Sequence, residues 1–173
     1  MGDLFIVSVV VSALDRDTLT TTLEKIEISS GKGKVKWMKV RGDQRLAYIT
    51  YVLTAPAFKG KLYFSLYRGT KSYMALTVLA TAKAILTLEP SHPQTMVYVD
   101  GLPKARLRWF GVELRRLSVR TIKVVGVRRE ETEALMRLAD ACCGFVRAAL
   151  SGQQPEMAKL FEKAKATGHL REV

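Results

Sequence analysis

Short runs of β-branched and aromatic residues alternate with helical patterns along this chain, and that alternation narrows the architectures open to it. "LFIVSVVVSA" (4–13), "GKLYFSLYRG" (60–69), "TMVYVD" (95–100) and "RTIKVVGV" (120–127) read as strands. Helical patterns cover 15–29, 42–55, 71–89, 103–117, 130–152 and 154–168. The helix over 42–55 rests on Leu46, Ile49, Val52 and Leu53 at helical spacing. The helix over 103–117 has Pro103 at its first turn and an apolar row of Leu107, Phe110, Leu114 and Leu117. Strands alternating with helices imply an α/β layer structure around a mostly parallel core sheet. With 173 residues, 48% of them hydrophobic, a single domain over 1–173 has enough apolar surface for a real core.

Several classes are excluded. The first apolar stretch, "LFIVSVVVSAL", falls short of the roughly 20 residues that a bilayer helix needs. It lacks a charged leader and a cleavage pattern, so a soluble, cytoplasmic protein with no membrane contact is expected. Cys142 and Cys143 are neighbours on a helix, there is no CxxC, and His92 and His169 are the only histidines. A structural zinc site is thereby excluded, and a reducing compartment suits the two thiols. The basic loop "SGKGKVKW" lacks the GxxxxGK[ST] spacing of a phosphate-binding loop.

The net charge of +12 is concentrated. Residues 31–45 hold six basic side chains and one acid, and residues 101–129 hold nine and one. The remainder holds 13 basic and 14 acidic residues, so these two segments carry the whole excess. If the fold joins them, they form a surface that attracts phosphate backbones. Lys36, Lys39 and Arg41 in the first segment, and Lys104, Arg106 and Arg108 in the second, are the candidate contacts to nucleic acid or another polyanion. Trp37, Trp109 and Phe110 lie among them and could stack on bases, or serve as core and edge packing.

Two aspartates draw attention. Asp100 ends a strand, in "MVYVDGLPK", where open α/β sheets collect ligands. The same residue also suits an Asp-Gly turn that accepts local backbone N–H groups. Asp140 lies in "LMRLADACCGFV", away from the middle of the helix's apolar row, among small residues that would let another backbone approach. It reads either as a solvated aspartate paired with Arg137 or Arg147, or as a buried, paired or metal-holding one.

"MVYVDGLPK" followed some forty residues later by "RLADACCGFVRAAL" resembles the back half of the RNase H-like family catalogued as domain of unknown function 3800. "GKVKWMKV" is similar to that family's acidic-x-Lys-Trp motif, and "LYFSLYRGTKSYMALTVLATAKAIL" to its middle strand and helix. The resemblance covers most of the chain. It implies an RNase H-like three-layer fold, a mixed sheet flanked by helices. It also implies a metal-dependent nuclease site in which Asp100 and Asp140 are catalytic and hold magnesium or manganese. A hard cation of this kind takes carboxylates, water and phosphate oxygens, and two of them can activate a water and stabilise the leaving oxygen.

The chain departs from the family in two places. The opening strand with its Asp-Glu-Ser-Gly motif is missing, and Lys34 stands where the motif before Trp37 has an acid. Asp3 is a weak substitute. Without the family's first strand, segments 4–13 and 95–100 must pair directly, or another chain must fill the gap, or the polypeptide begins further upstream. The second case is self-association through an unpaired sheet edge. Function is therefore open between a Mg/Mn-dependent, nuclease-like enzyme that processes phosphodiesters, a catalytically inactive RNase H-like module that binds nucleic acid or a protein partner, and a scaffold.

Overall fold

The computed structural model describes residues 4–88, 94–128 and 133–173. Among these residues, five strands and six α-helices follow in the order β1 (Leu4–Val10), α1 (Arg16–Ser29), α2 (Gly42–Thr54), β2 (Leu62–Arg68), α3 (Tyr73–Leu88), β3 (Thr95–Asp100), α4 (Lys104–Arg116), β4 (Thr121–Val127), α5 (Ala134–Leu150), α6 (Pro155–Ala166) and β5 (Leu170–Glu172). The α/β class and every element read from the sequence are present, with bounds that differ by a few residues; residue 89 and residues 130–132 of the expected helices lie outside the described residues. The first strand stops at Val10, because the chain then turns where Asp15 Oδ1 accepts the Ala13 N–H at 2.9 Å. The three-residue β5 carries too little pattern to be seen in the sequence.

The strands form two sheets among the described residues, not one mostly parallel sheet. One has the order β1-β2-β5, with β1 antiparallel and β5 parallel to β2; the other is the parallel pair β3-β4. β1 and β3 do not pair with each other.

Alternation along β1 sorts the layers. Ile6 enters a large apolar cluster with Leu23, Trp37, Tyr48, Phe64, Phe145 and Phe161, built from α1, α2, α5, α6 and the strands. On the opposite face, the Phe5 ring meets Tyr73 of α3 edge-on, with centroids 4.9 Å apart. A second cluster joins α3 (Val78, Ala82, Ile85), β3 (Val97), α4 (Phe110, Leu114), Val119 and β4 (Val124). α3 touches β1, β2 and α4, so this one helix ties the two sheets together by side-chain packing.

α4 shows how the sequence sets a face. Phe110 and Leu114 are buried, as their spacing predicts, but Leu117 is exposed. Ser118 takes φ 68°, a left-handed turn, and the Val119 N–H then reaches back to the Leu114 carbonyl at 3.0 Å. That reversal places Val119 in the core in the role expected of Leu117.

The outer side of β1 is covered by a helix. Val11 N–H donates to the Lys61 carbonyl, so the backbone of odd-numbered residues faces β2 and that of Leu4 and Ile6 faces away. Arg147 Nη2 donates to the Leu4 carbonyl at 3.1 Å, and Cys143 Sγ to the Ile6 carbonyl at 3.5 Å. Both side chains come from α5, four residues apart, so one helical face serves two acceptors on one strand edge.

Candidate nucleic-acid interface and the two aspartates

Asp140 is neither solvated beside Arg137 or Arg147 nor gathered into an acidic cluster. Its Oδ2 accepts the backbone N–H of Trp37 at 3.1 Å. Trp37 opens a short 3₁₀ turn, Trp37–Lys39, that ends the basic loop. Arg45 holds the other side of that turn: Nε donates to the Trp37 carbonyl at 3.0 Å and Nη2 to the Met38 carbonyl at 2.9 Å. The Arg45 guanidinium also lies 5.4 Å from the centre of the indole ring, within cation–π range. The small residues flanking Asp140 do admit a close neighbour, and it is this indole. A Cβ on Gly144 would lie 2.1 Å from Trp37 Cδ1, so the position requires glycine.

The two arginines proposed as partners of Asp140 work elsewhere. Arg147 serves the β1 edge. Arg137 makes a bidentate pair with Glu27, Nε to Oε1 at 2.6 Å and Nη2 to Oε2 at 2.8 Å. Glu27 is buried, and so is Lys32, whose Nζ lies 3.5 Å from Glu27 Oε1 and 4.8 Å from the centre of the Tyr48 ring. Burial pushes the Lys32 ammonium below its ordinary value, and the Glu27 charge offsets part of that. This buried polar centre was missed in the sequence, although a signal was there: Leu19, Leu23 and Glu27 share one helical row, so a carboxylate continues an apolar stripe.

Asp100 is the exposed last residue of β3, followed by Gly101 at φ 67°, whose N–H donates to the Val127 carbonyl at 3.1 Å. Val97 and Val99 face the second core, so alternation turns Met96, Tyr98 and Asp100 to the other side of that sheet. There the Arg16 guanidinium covers Tyr98, 5.0 Å from the ring centre, and pairs with Glu133.

The metal centre implied by the family resemblance does not fit these residues. One Asp140 oxygen already holds a backbone amide, the Trp37 indole fills the space over Gly144, and the Lys32 ammonium lies within electrostatic reach of Asp140. Among the described residues no group of three or more His, Cys, Asp or Glu is placed to hold an ion. Asp3, the candidate replacement acid, lies outside the described residues.

The basic residues fall into two groups in different layers. Lys39 ends the 3₁₀ turn, with Lys36 just before it and Arg41 just after, and the turn packs on α5. Of these, Arg41 is engaged by Asp43, with Nη2 to Oδ2 at 2.6 Å. Lys104, Arg106 and Arg108 are exposed on α4, which shares its core with α3 on the other side of the molecule's larger sheet. The fold therefore does not merge the two charged segments into one ledge. The aromatic candidates divide as well: Trp37 is 5% exposed and Phe110 1%, while Trp109 is only half-buried.

Compared with family models, with curated proteins and with solved structures, the chain matches none.

Proposed function

We propose that this chain is a nucleic-acid-binding module of RNase H-like build, and that the β3–α4–β4 unit is its contact surface. The single observation behind this reading is the charge exposed on that unit. α4 exposes Lys104, Arg106, Arg108, Arg115 and Arg116, and β4 with its flanks adds Arg120, Lys123 and Arg128. The one acid on α4, Glu113, is engaged by Arg116 at 2.6 Å. The packing supports a surface role for these cations, because Phe110 and Leu114 turn the apolar side of α4 inward. Exposed cations at this density gain affinity for a phosphate backbone mainly through counterion release.

Asp140 favours binding over phosphodiester cleavage, since its carboxylate positions the Trp37 turn. The test is a salt titration of purified protein against single-stranded and duplex oligonucleotides. Six or more phosphate contacts reduce affinity by on the order of a thousandfold between about 50 and 200 mM salt. Charge reversal at Arg106 and Arg108 should remove most of that dependence. Failure to bind any oligonucleotide at the lower salt would overturn the reading. Cleavage in magnesium or manganese that Asp140→Asn abolishes would restore the nuclease reading.

A further inference from the structure

Where α3 begins and the first turns of α4 pass beside it, the surface holds an open depression of about 370 Å³. Its lining includes Lys71, Ser72, Tyr73, Met74, Arg106 and Trp109. The volume lies at the lower end of the range for small-ligand sites. Trp109 packs with Val99, Leu102 and Leu107 against the second core, so the indole is backed by a rigid surface while it also lines the depression. Arg106 lies one helical turn before it on α4, and Lys71 stands on the opposite wall. Both cations are exposed, and neither is in an ion pair among the described residues.

We infer that this depression is a subsite for one unpaired nucleotide, the base stacking on Trp109 and the flanking phosphates meeting Arg106 and Lys71. The inference rests on the nucleic-acid-binding reading and deepens it, because it selects single strands. A stacking platform takes a base that has left its own stack, whereas a duplex offers only its backbone to the surrounding cations. A half-buried indole between two cations is the combination that non-sequence-specific single-strand binders use. Trp37 and Phe110 are too buried to supply it.

The experiment compares a short oligothymidylate with a duplex of equal length, using intact protein and its Trp109→Ala and Trp109→Phe variants, each checked for folding by circular dichroism. Indole emission should be quenched as the single strand saturates the protein. Trp109→Ala should weaken single-strand binding by roughly 5- to 150-fold, leave the duplex affinity unchanged and leave the salt slope unchanged. Trp109→Phe should restore most of the loss. Lys71→Ala and Arg106→Ala should each lower the single-strand salt slope by about 0.7. If Trp109→Ala binds the single strand as tightly as the parent, with salt dependence intact, the subsite is overturned and the basic surface stands. If no oligonucleotide shows salt-sensitive binding, both readings fall. Should Trp109→Ala not fold, the parent decides alone: saturation without any change in emission overturns the subsite.

Discussion

The Asp140 carboxylate accepts the backbone N–H of Trp37 at 3.1 Å, joining residues 103 positions apart in the chain. A charge-assisted bond to a backbone amide fixes the 3₁₀ turn, and the turn in turn seals α5 with its indole. Asp140→Ala should therefore cost about 1–3 kcal/mol of unfolding free energy. Asp140→Asn should cost less, because an acceptor oxygen remains. Urea denaturation of the three proteins checks the order.

Gly144→Ala makes the complementary test from the helix side. The added methyl would meet the indole at 2.1 Å, and neither the ring nor the helix backbone can yield by that much without repacking. A destabilisation of about 1–3 kcal/mol or more is expected. The emission maximum should move to longer wavelength as Trp37 becomes wetted. Unchanged emission together with an unchanged melting temperature would show that the indole does not sit where described.

The buried Glu27 carboxylate is shared by two cations, Arg137 and Lys32. Glu27→Gln would leave both charges buried without their counter-ion, at a cost of about 3–5 kcal/mol. Lys32→Met keeps the Arg137 pair and removes the costlier ion, so it should be close to neutral or stabilising. The two variants thus move stability by very different amounts from one cluster, which thermal melts at neutral pH will show.

Lys32 also gives a pH signature. Its folded-state value lies below the ordinary 10.5. In the interval between the two values the unfolded chain holds a proton that the folded chain has released, so this group's contribution to stability rises with pH there. The contribution is complete above 10.5 and is lost as pH falls through the folded-state value. Lys32→Met should abolish that alkaline rise. Stability curves of the parent and variant that run parallel from pH 8 to 11 would show that the lysine titrates normally.

Arg147 guards the outer edge of β1. Arg147→Ala frees the Leu4 carbonyl, and adding Cys143→Ala frees that of Ile6. An uncovered strand edge is a template for another strand. The double variant should self-associate at concentrations where the parent does not, as sedimentation velocity will measure.

How far the sequence could be read depended on the kind of signal involved. Elements with strong local signals were legible: α4 follows from Phe110 and Leu114, and β2 from an apolar and aromatic run bounded by glycines. Asp140 was legible as an unusual aspartate among small residues, but not its partner, because a backbone amide in a loop a hundred residues away leaves no mark in side-chain pattern. Nothing in the pattern paired Glu27 with Lys32 or Arg137, since burial of a charge depends on a counter-ion supplied from another part of the chain. Whether the two basic segments would join into one surface was left open, because a linear sequence does not record which layer of the fold a loop ends in. The split between the sheets was equally invisible, as the runs at 4–13 and 95–100 carry β propensity without naming their neighbours.

That split sets how the molecule comes apart. With no ladder between β1 and β3 among the described residues, the two halves of the fold cohere through side chains, chiefly those of α3, with Arg16 of α1 over Tyr98 of β3 as a second link. Loosening these side-chain contacts, the Arg16–Tyr98 one included, releases β3, α4 and β4 as a unit without breaking a backbone bond of the β1-β2-β5 sheet. Amides in β3 and β4 should then exchange with solvent deuterium through a partial opening, at a lower free energy than those of β2, and a polyanion seated on α4 would slow that exchange selectively.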